Sequence, residues 1–500
     1  VGFVGDEPLR LGLAPECDLV PLPAVGWREA LEAQVPDLLL VQSAWQGLGG
    51  SWAHRIAWYP HPDAYRLGHL RDLVAWCRER SVPTVFWSTE DPLQVERFVA
   101  ASALFENVMT VDAASIERLA AEPARSAVRV AHLPHAVQPR LHHPAPLPAG
   151  GVPAVFIGAA YRGAPYLQRQ AFDRLLDAGA RAGLEIRDRK LGGDPRLFGF
   201  AERHRPLVGP WLPTAGVPDA IRAHRVLVGN PETAVVPVRV LEALASGRPV
   251  VTTPEAAAAA AWPGAVLAGD SDAELDAAFA SAIESRGGVP ADVERAAIAI
   301  LESATFRHRL VATARAAGID VADASPRCGV VALADDAASV SRLMTAADAW
   351  RGRVSEIVLG TRDAAIVNER ERLVSTAGMP VRVVLQADEP DALRRARLAA
   401  VADAEWLLVA SPESNVSGTT LAAQLAALPF ADAAIVGSPV AGAPSWAPSS
   451  AVDPARSIVR RSVLLEHGWP SGDAAPDAMA ALARAGLAVY ATSAIDEARA

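Results

Sequence analysis

Short apolar runs alternate with helix-length stretches along this chain, and the alternation restarts twice. No other feature constrains the fold so tightly. An apolar run followed by an amphipathic stretch, repeated, predicts a parallel sheet covered by helices. The first set is VGFVG (1–5), DLVPL (18–22), DLLLVQ (37–42), TVFWS (84–88), NVMTVD (107–112) and VRVAHL (128–133). A proline-rich hinge or linker follows at 135–153, HAVQPRLHHPAPLPAGGVP. The second set is AVFIG (154–158), LEIRD (184–188), RVLVGN (225–230), PVVTT (249–253) and AVLAG (265–269), closed by a helical stretch over about 290–318. A break at 320–329 precedes the third set: GVVALA (329–334), EIVLG (356–360), VRVVLQ (381–386), WLLVAS (406–411), AAIVGS (433–438) and LAVYAT (487–492). The expectation is α/β throughout, in three domains at 1–145, 146–325 and 326–500.

Composition narrows the function. The formal net charge of -10 argues against a protein that grips nucleic acid backbone. Cys17, Cys77 and Cys328 are far apart and form no CxxC pair, which points to reduced core thiols and a cytoplasmic protein. No apolar run approaches the ~18 residues of a membrane span. The strand-like opening predicts no signal peptide, and a first residue Val1 predicts a trimmed N-terminus. There is no GxGxxG, no P-loop and no HExxH, so a nicotinamide or flavin dinucleotide site has little support.

The stretch RVLEALASGRPVVTTP (239–254) reads as a helix, a stop and a buried strand. Val238, Leu241 and Ala245, with Leu244 beside them, make the packing stripe. Gly247 suits the position after the helix and Pro249 prevents continuation. Arg239 and Glu242, three apart, share a different face. The loop from Asn230 brings this helix start to the carboxyl end of a strand, where α/β sheets bind ligands. A helix start there favours phosphate, an Arg adds a forked contact to a diphosphate, and a carboxylate accepts ribose hydroxyls. A plain surface Arg–Glu pair, worth ~0.2–0.5 kcal/mol, has the same spacing.

The segment NPETAVVPVRVLEALASGRPVVTT resembles the donor-site segment of spore maturation protein B-like (CgeB-type) glycosyltransferases, relatives of the group 1, GT-B glycosyltransferases. Asn230, Arg239, Glu242, Gly247 and Pro249 fall on the family pattern. PDLLLVQSAWQGLGGSW (36–52), PTVFWSTEDP (83–92), NVMTVDAASIERL (107–119), VRVAHLPHAVQPRLHHP (128–144) and AVFIGAAYRG (154–163) match in the same order, covering roughly residues 1–320. Two departures stand out: Ala234 occupies a position where many group 1 enzymes carry Glu, and Gln42 one where the family often has Glu. The resemblance implies a GT-B fold of two Rossmann-like lobes, with the nucleoside-diphosphate sugar on the second and the acceptor on the first. Retention of configuration is a family-level expectation.

Other polar residues sit where such a cleft would be. SAWQGLGGSW (43–52) follows a strand, and Trp45 and Trp52 are candidates to stack on an acceptor or to cap a core edge. In STEDP (88–92), Glu90 is a candidate general base and Asp91 a helix cap. His135, before the hinge, either touches the donor or only bonds backbone; His142 and His143 read as solvated. In FIGAAYRG, Gly158, Tyr161 and Arg162 are candidates to meet the diphosphate.

Residues 328–500 resemble, more weakly, a GT-A nucleotide-sugar domain. Its Asp-x-Asp metal motif is missing: Ser411, Pro412 and Glu413 stand there. This domain is expected to be catalytically silent, a docking or homo-oligomerisation module. The expected function is therefore metal-independent, cofactor-free transfer of a sugar from a nucleotide sugar to a glycan, protein or small-molecule acceptor. Arg239 would offset the charge of the leaving diphosphate, with Glu90 and His135 as the other catalytic candidates. A nucleotide-sugar epimerase or isomerase, or a non-catalytic assembly protein, are the alternative classes.

Overall fold

The computed structural model describes residues 1–58, 66–121, 129–162, 169–195, 197–284, 288–322, 325–411, 416–469 and 475–493, the side chains of 475–478 excepted. One compact unit is built from Val1–His142, Pro148–Ser285 and Ala299–Ala324, the other from His143–Leu147, Arg286–Ile298 and Ser325–Ala500.

The first unit holds two all-parallel sheets. Strands β1 (Gly2–Val4), β2 (Val20–Pro21), β3 (Leu39–Gln42), β4 (Thr84–Ser88), β5 (Asn107–Thr110) and β6 (Arg129–His132) lie in the order β2-β1-β3-β4-β5-β6. Strands β7 (Ala154–Gly158), β8 (Leu184–Asp188), β9 (Val226–Val228), β10 (Val250–Thr252) and β11 (Val266–Ala268) lie in the order β11-β10-β9-β7-β8. Both sheets use one plan: the chain steps out one strand, returns past its start, and continues the other way. The reversal falls between β1 and β3 in one sheet and between β7 and β9 in the other. Beyond the carboxyl ends of the strands, such a reversal opens a crevice.

Both faces of the first sheet are covered, which is why its strands read as continuous apolar runs. Successive residues go to opposite sides. Val4, Leu39, Val41 and Phe86 join one core with Leu70, Trp76 and Phe98. Phe3, Leu40, Val85 and Trp87 join the other with Leu9, Leu13 and Phe306. Phe306 comes from the helix Phe306–Ala316, far along the chain, and its ring stands edge-on to Trp87 at 6.4 Å. It packs so closely on Gly12 that a Cβ there would lie 2.2 Å from its ring. This helix joins the first sheet's core although it follows the second sheet in the chain.

The segment between the sheets is held by arginine donors to its carbonyls rather than free. Arg309 Nε donates to Pro134 O at 2.8 Å and its Nη2 to His135 O at 3.1 Å. Arg225 Nη1 donates to Pro148 O at 2.9 Å, and Arg222 donates to Leu141 O. His142 is buried, which corrects the solvated reading. His143, in the second unit, stacks on Phe430 with centroids 4.4 Å apart.

The second unit carries one mixed sheet: β12 (Cys328–Leu333), β13 (Val354–Thr361), β14 (Val381–Leu385), β15 (Trp406–Ala410), β16 (Ile435–Pro439), β17 (Ala447–Pro448), β18 (Val452–Arg460) and β19 (Val489–Ala491), in the order β14-β13-β12-β15-β18-β16-β19-β17. β17 and β18 were not anticipated from sequence. β18 contains Pro454 and little alternation, yet it runs antiparallel between β15 and β16, which buries Ile458 and Val459 completely. Sheet partners, not strand pattern, make it a strand.

Candidate active site

The helix Val238–Ala245 leads from the carboxyl side of β9 and buries Val240, Leu241, Ala243, Leu244 and Ala245. The buried stripe is wider than the sequence suggested: Val240 and Ala243 join it, while Val238 stays half-buried. Gly247, with φ +72°, ends the helix. Arg239 donates to Glu242, and their side chains are 22% and 13% exposed, so the pair is not a solvated surface bridge. The second Glu242 oxygen lies 3.5 Å from His142 Nε2. Arg189, just past β8, feels the charges of both Arg239 and Glu242. Burial holds its guanidinium below the usual range, helped by Arg239 and opposed by Glu242. Arg189 also donates to Thr214 Oγ1 at 2.8 Å and to Leu212 O.

His135 is half-buried nearby, and burial pushes its pKa down to about 4; Glu242 opposes this and Arg309 assists it. It is therefore neutral near pH 7. Asn230 lies at the end of β9, where its carbonyl accepts from Glu232 N at 2.8 Å. Glu232 is buried, and its carboxylate accepts the N–H groups of Thr233 and Ala234 at 3.0 and 3.1 Å. That carboxylate shapes the loop.

Gly158 ends β7, and a Cβ there would meet the Phe156 ring at 2.7 Å. The following residues bridge to 197–199: Arg162 N donates to Leu197 O and Gly199 N to Ala160 O, both at 2.8 Å. Tyr161 is 39% exposed with its ring edge-on to Phe198 at 5.0 Å, and Arg162 is exposed. Lys190, the sole lysine of the chain, lies over the same Phe198 ring at 5.4 Å.

The first sheet contributes a second group at its own reversal. Glu90, after β4, accepts the Trp45 indole N–H at 3.0 Å. Burial raises its carboxyl, the Trp45 bond opposes this, Asp6 and Asp91 add to it, and Lys190 opposes it. Asp91 is buried and accepts from Ser88 Oγ at 2.8 Å and Thr110 Oγ1 at 2.6 Å, not from a helix N–H. Trp52 requires a correction. It is 1% exposed and its indole donates to Leu22 O at 2.7 Å, so it is core and offers no face to an acceptor. Trp45 stays partly exposed, edge-on to Phe98 at 5.2 Å.

The structure thus gathers His135, Arg239 and Glu242 with His142 and Arg189, which sequence reasoning missed. It places Glu90 and Trp45 with Asp6, also missed. The signal was available: Asp6 and Arg189 each follow the carboxyl end of a strand.

In the second unit, the corresponding strand ends hold an internal ion network. Arg394, 1% exposed, forks onto Asp335 at 2.7 and 3.0 Å, and Asp335 also receives Arg362. Two residues at the position of the missing metal motif, Pro412 and Glu413, lie outside the described residues. Among the described residues no cluster of three His, Cys, Asp or Glu side chains has the arrangement of a metal site, and no helix is long and apolar enough to cross a membrane.

No protein-family model matches the chain, and no curated protein matches it. Solved structures do. Sucrose-phosphate synthase from Thermosynechococcus elongatus is 14% identical over 58% of this chain and 75% of its own, with a TM-score of 0.35. TarM of S. aureus, in complex with fondaparinux, alpha-GlcNAc-glycerol and UDP, is 9% identical over 58% of this chain and 57% of its own, with a TM-score of 0.33. Glucosyl-3-phosphoglycerate synthase from Mycobacterium tuberculosis, in complex with Mn2+, UDP and glucosyl-3-phosphoglycerate, is 12% identical over 34% of this chain and 70% of its own, with a TM-score of 0.26. Likenesses this faint carry no argument about the substrate, metal or acceptor of this chain.

Proposed function

We propose that the chain is a glycosyltransferase of the two-lobed GT-B kind that uses a nucleoside-diphosphate sugar. One observation carries the reading. A guanidinium and a carboxylate, Arg239 and Glu242, meet in a partly buried cluster beside the reversal of a parallel sheet, with Arg189 close by. Two arginines suit a diphosphate, and a carboxylate suits the hydroxyls of a ribose.

In this reading Asn230, Arg239, Glu242 and the 158–162 loop hold the donor. As the sugar–phosphate bond breaks, charge grows on the diphosphate, and Arg239 stabilises it in the role a divalent cation has elsewhere. Neutral His135 offers a hydrogen bond to the sugar without competing for the anion. Glu90, with its carboxyl raised by burial, orients the acceptor hydroxyl or takes its proton. The C-terminal unit is proposed as a silent GT-A-like module for docking or self-association.

The test replaces Arg239 and Glu242 separately with Ala and follows nucleoside diphosphate release from UDP-, GDP-, dTDP- and CDP-sugars. Arg239→Ala is expected to lose on the order of 100-fold in kcat, as removal of one charge-stabilising donor does elsewhere. Near-normal turnover in both variants, with melting temperatures unchanged, would reject the site.

A further inference from the structure

The loop after β3 is tied to the ends of both neighbouring strands, β1 and β4. Asp6, after β1, accepts the Gly47 N–H at 2.8 Å on Oδ1 and the Trp45 N–H at 3.4 Å on Oδ2. Its own N–H donates to Gln42 Oε1 at 2.9 Å, and Gln42 Nε2 donates to Thr89 Oγ1 at 3.0 Å. Thr89 N donates to Ser43 Oγ at 2.8 Å, which links β3 to the residue beside Glu90. Gly47, at φ +68°, takes a backbone shape that L side chains rarely adopt. A turn whose N–H groups converge is an anion cradle. Here the anion belongs to the chain itself.

The same turn carries Trp45, whose indole N–H ends on Glu90 Oε2 at 3.0 Å. The ring is steadied edge-on by Phe98. Asp6 therefore reaches Glu90 through one turn and one indole, without touching it.

We propose that Asp6 is a positioning residue for Glu90: its carboxylate organises the Trp45–Gly47 turn so that the indole occupies one Glu90 oxygen and leaves the other for an acceptor hydroxyl. The acceptor clause rests on the glycosyltransferase reading; the positioning clause does not. Three charged groups face Glu90: Asp6 from the end of β1, Asp91 beside it in the chain, and Lys190 from beyond β8. Asp6 itself faces Lys190. An Asp6→Asn change removes the acceptor for at least one of the two N–H groups and turns an amide donor towards them.

Two measurements test this. In protein labelled with 15N-tryptophan, the Trp45 indole resonance is assigned through Trp45→Phe and followed from pH 4 to 8 in wild type, Asp6→Asn and Glu90→Gln. In Asp6→Asn it is expected to leave its wild-type position and lose its titration. An unchanged indole resonance and titration in Asp6→Asn would overturn the proposal. The second measurement is kinetic. Asp6→Asn and Trp45→Phe are each expected to lower kcat about tenfold with donor KM within twofold, and the double variant to be no worse than either alone. Losses that multiply would mean that Asp6 and Trp45 act separately, and would also overturn it. If wild type releases no nucleoside diphosphate from any sugar nucleotide, the glycosyltransferase reading falls, while the indole experiment still decides the positioning claim.

Discussion

His142 Nε2 stands 3.5 Å from Glu242 Oε1, and both side chains are largely withdrawn from water. One comes from the segment joining the two parallel sheets, the other from the helix after β9. The contact makes the joining segment part of the candidate donor site. Glu242 thus has a partner on each oxygen, Arg239 on one and His142 on the other.

His142→Ala removes the imidazole beside Glu242 Oε1 and leaves the Arg239 contact on the other oxygen. Donor KM is expected to rise about tenfold, equivalent to ~1.4 kcal/mol, with kcat little changed. Steady-state kinetics with whichever UDP-, GDP-, dTDP- or CDP-sugar the wild type turns over checks it. A KM within twofold of wild type would remove His142 from the site.

His135 makes the protein sensitive to acid. Its folded pKa of about 4 lies below the ordinary 6.5, so between those values the unfolded chain binds more protons than the folded one. Stability then rises with pH across that window and is fully present above 6.5. Wild type is expected to lose more stability than His135→Gln on going from pH 7 to pH 5, by at most a few kcal/mol. Urea midpoints at the two pH values measure the difference. Parallel losses in both proteins would contradict it.

Gly12 admits Phe306 because it has no Cβ. Gly12→Ala is expected to destabilise by ~1–3 kcal/mol through overpacking. Combined with Phe306→Leu, it is expected to cost much less than the sum of the two single changes. Additive losses in a double-mutant cycle would show that the helix Phe306–Ala316 does not seat on the first sheet as described.

Glu294 is buried in the second unit, where it accepts the Trp446 indole N–H at 2.5 Å. Burial raises its carboxyl above the ordinary 4.5, against bonds from Ser493 and Trp446. A raised carboxyl contributes stability below 4.5 that is lost as pH climbs through its folded value. Glu294→Gln, which keeps an acceptor for Trp446, is expected to raise the melting temperature at pH 8 and to lose that gain near pH 4. A gain independent of pH would exclude this cause.

The sequence by itself determined the class of fold. Runs such as LLLV (38–41) and VFW (85–87) are apolar at every position because parallel strands bury both faces, and that pattern survives in one dimension. It also marked the helix carrying Arg239 and Glu242, since three-residue spacing and the Gly247 stop are local facts. Tertiary structure decided the rest. β18 became a strand only because two partners flank it. Trp52 went into the core and Trp45 to Glu90, although both sit in one loop with the same local signal. His142 met Glu242, and Phe306 met Gly12, across separations of one hundred residues or more. Such pairings are fixed by which surfaces exclude water together, and no window of sequence contains both partners.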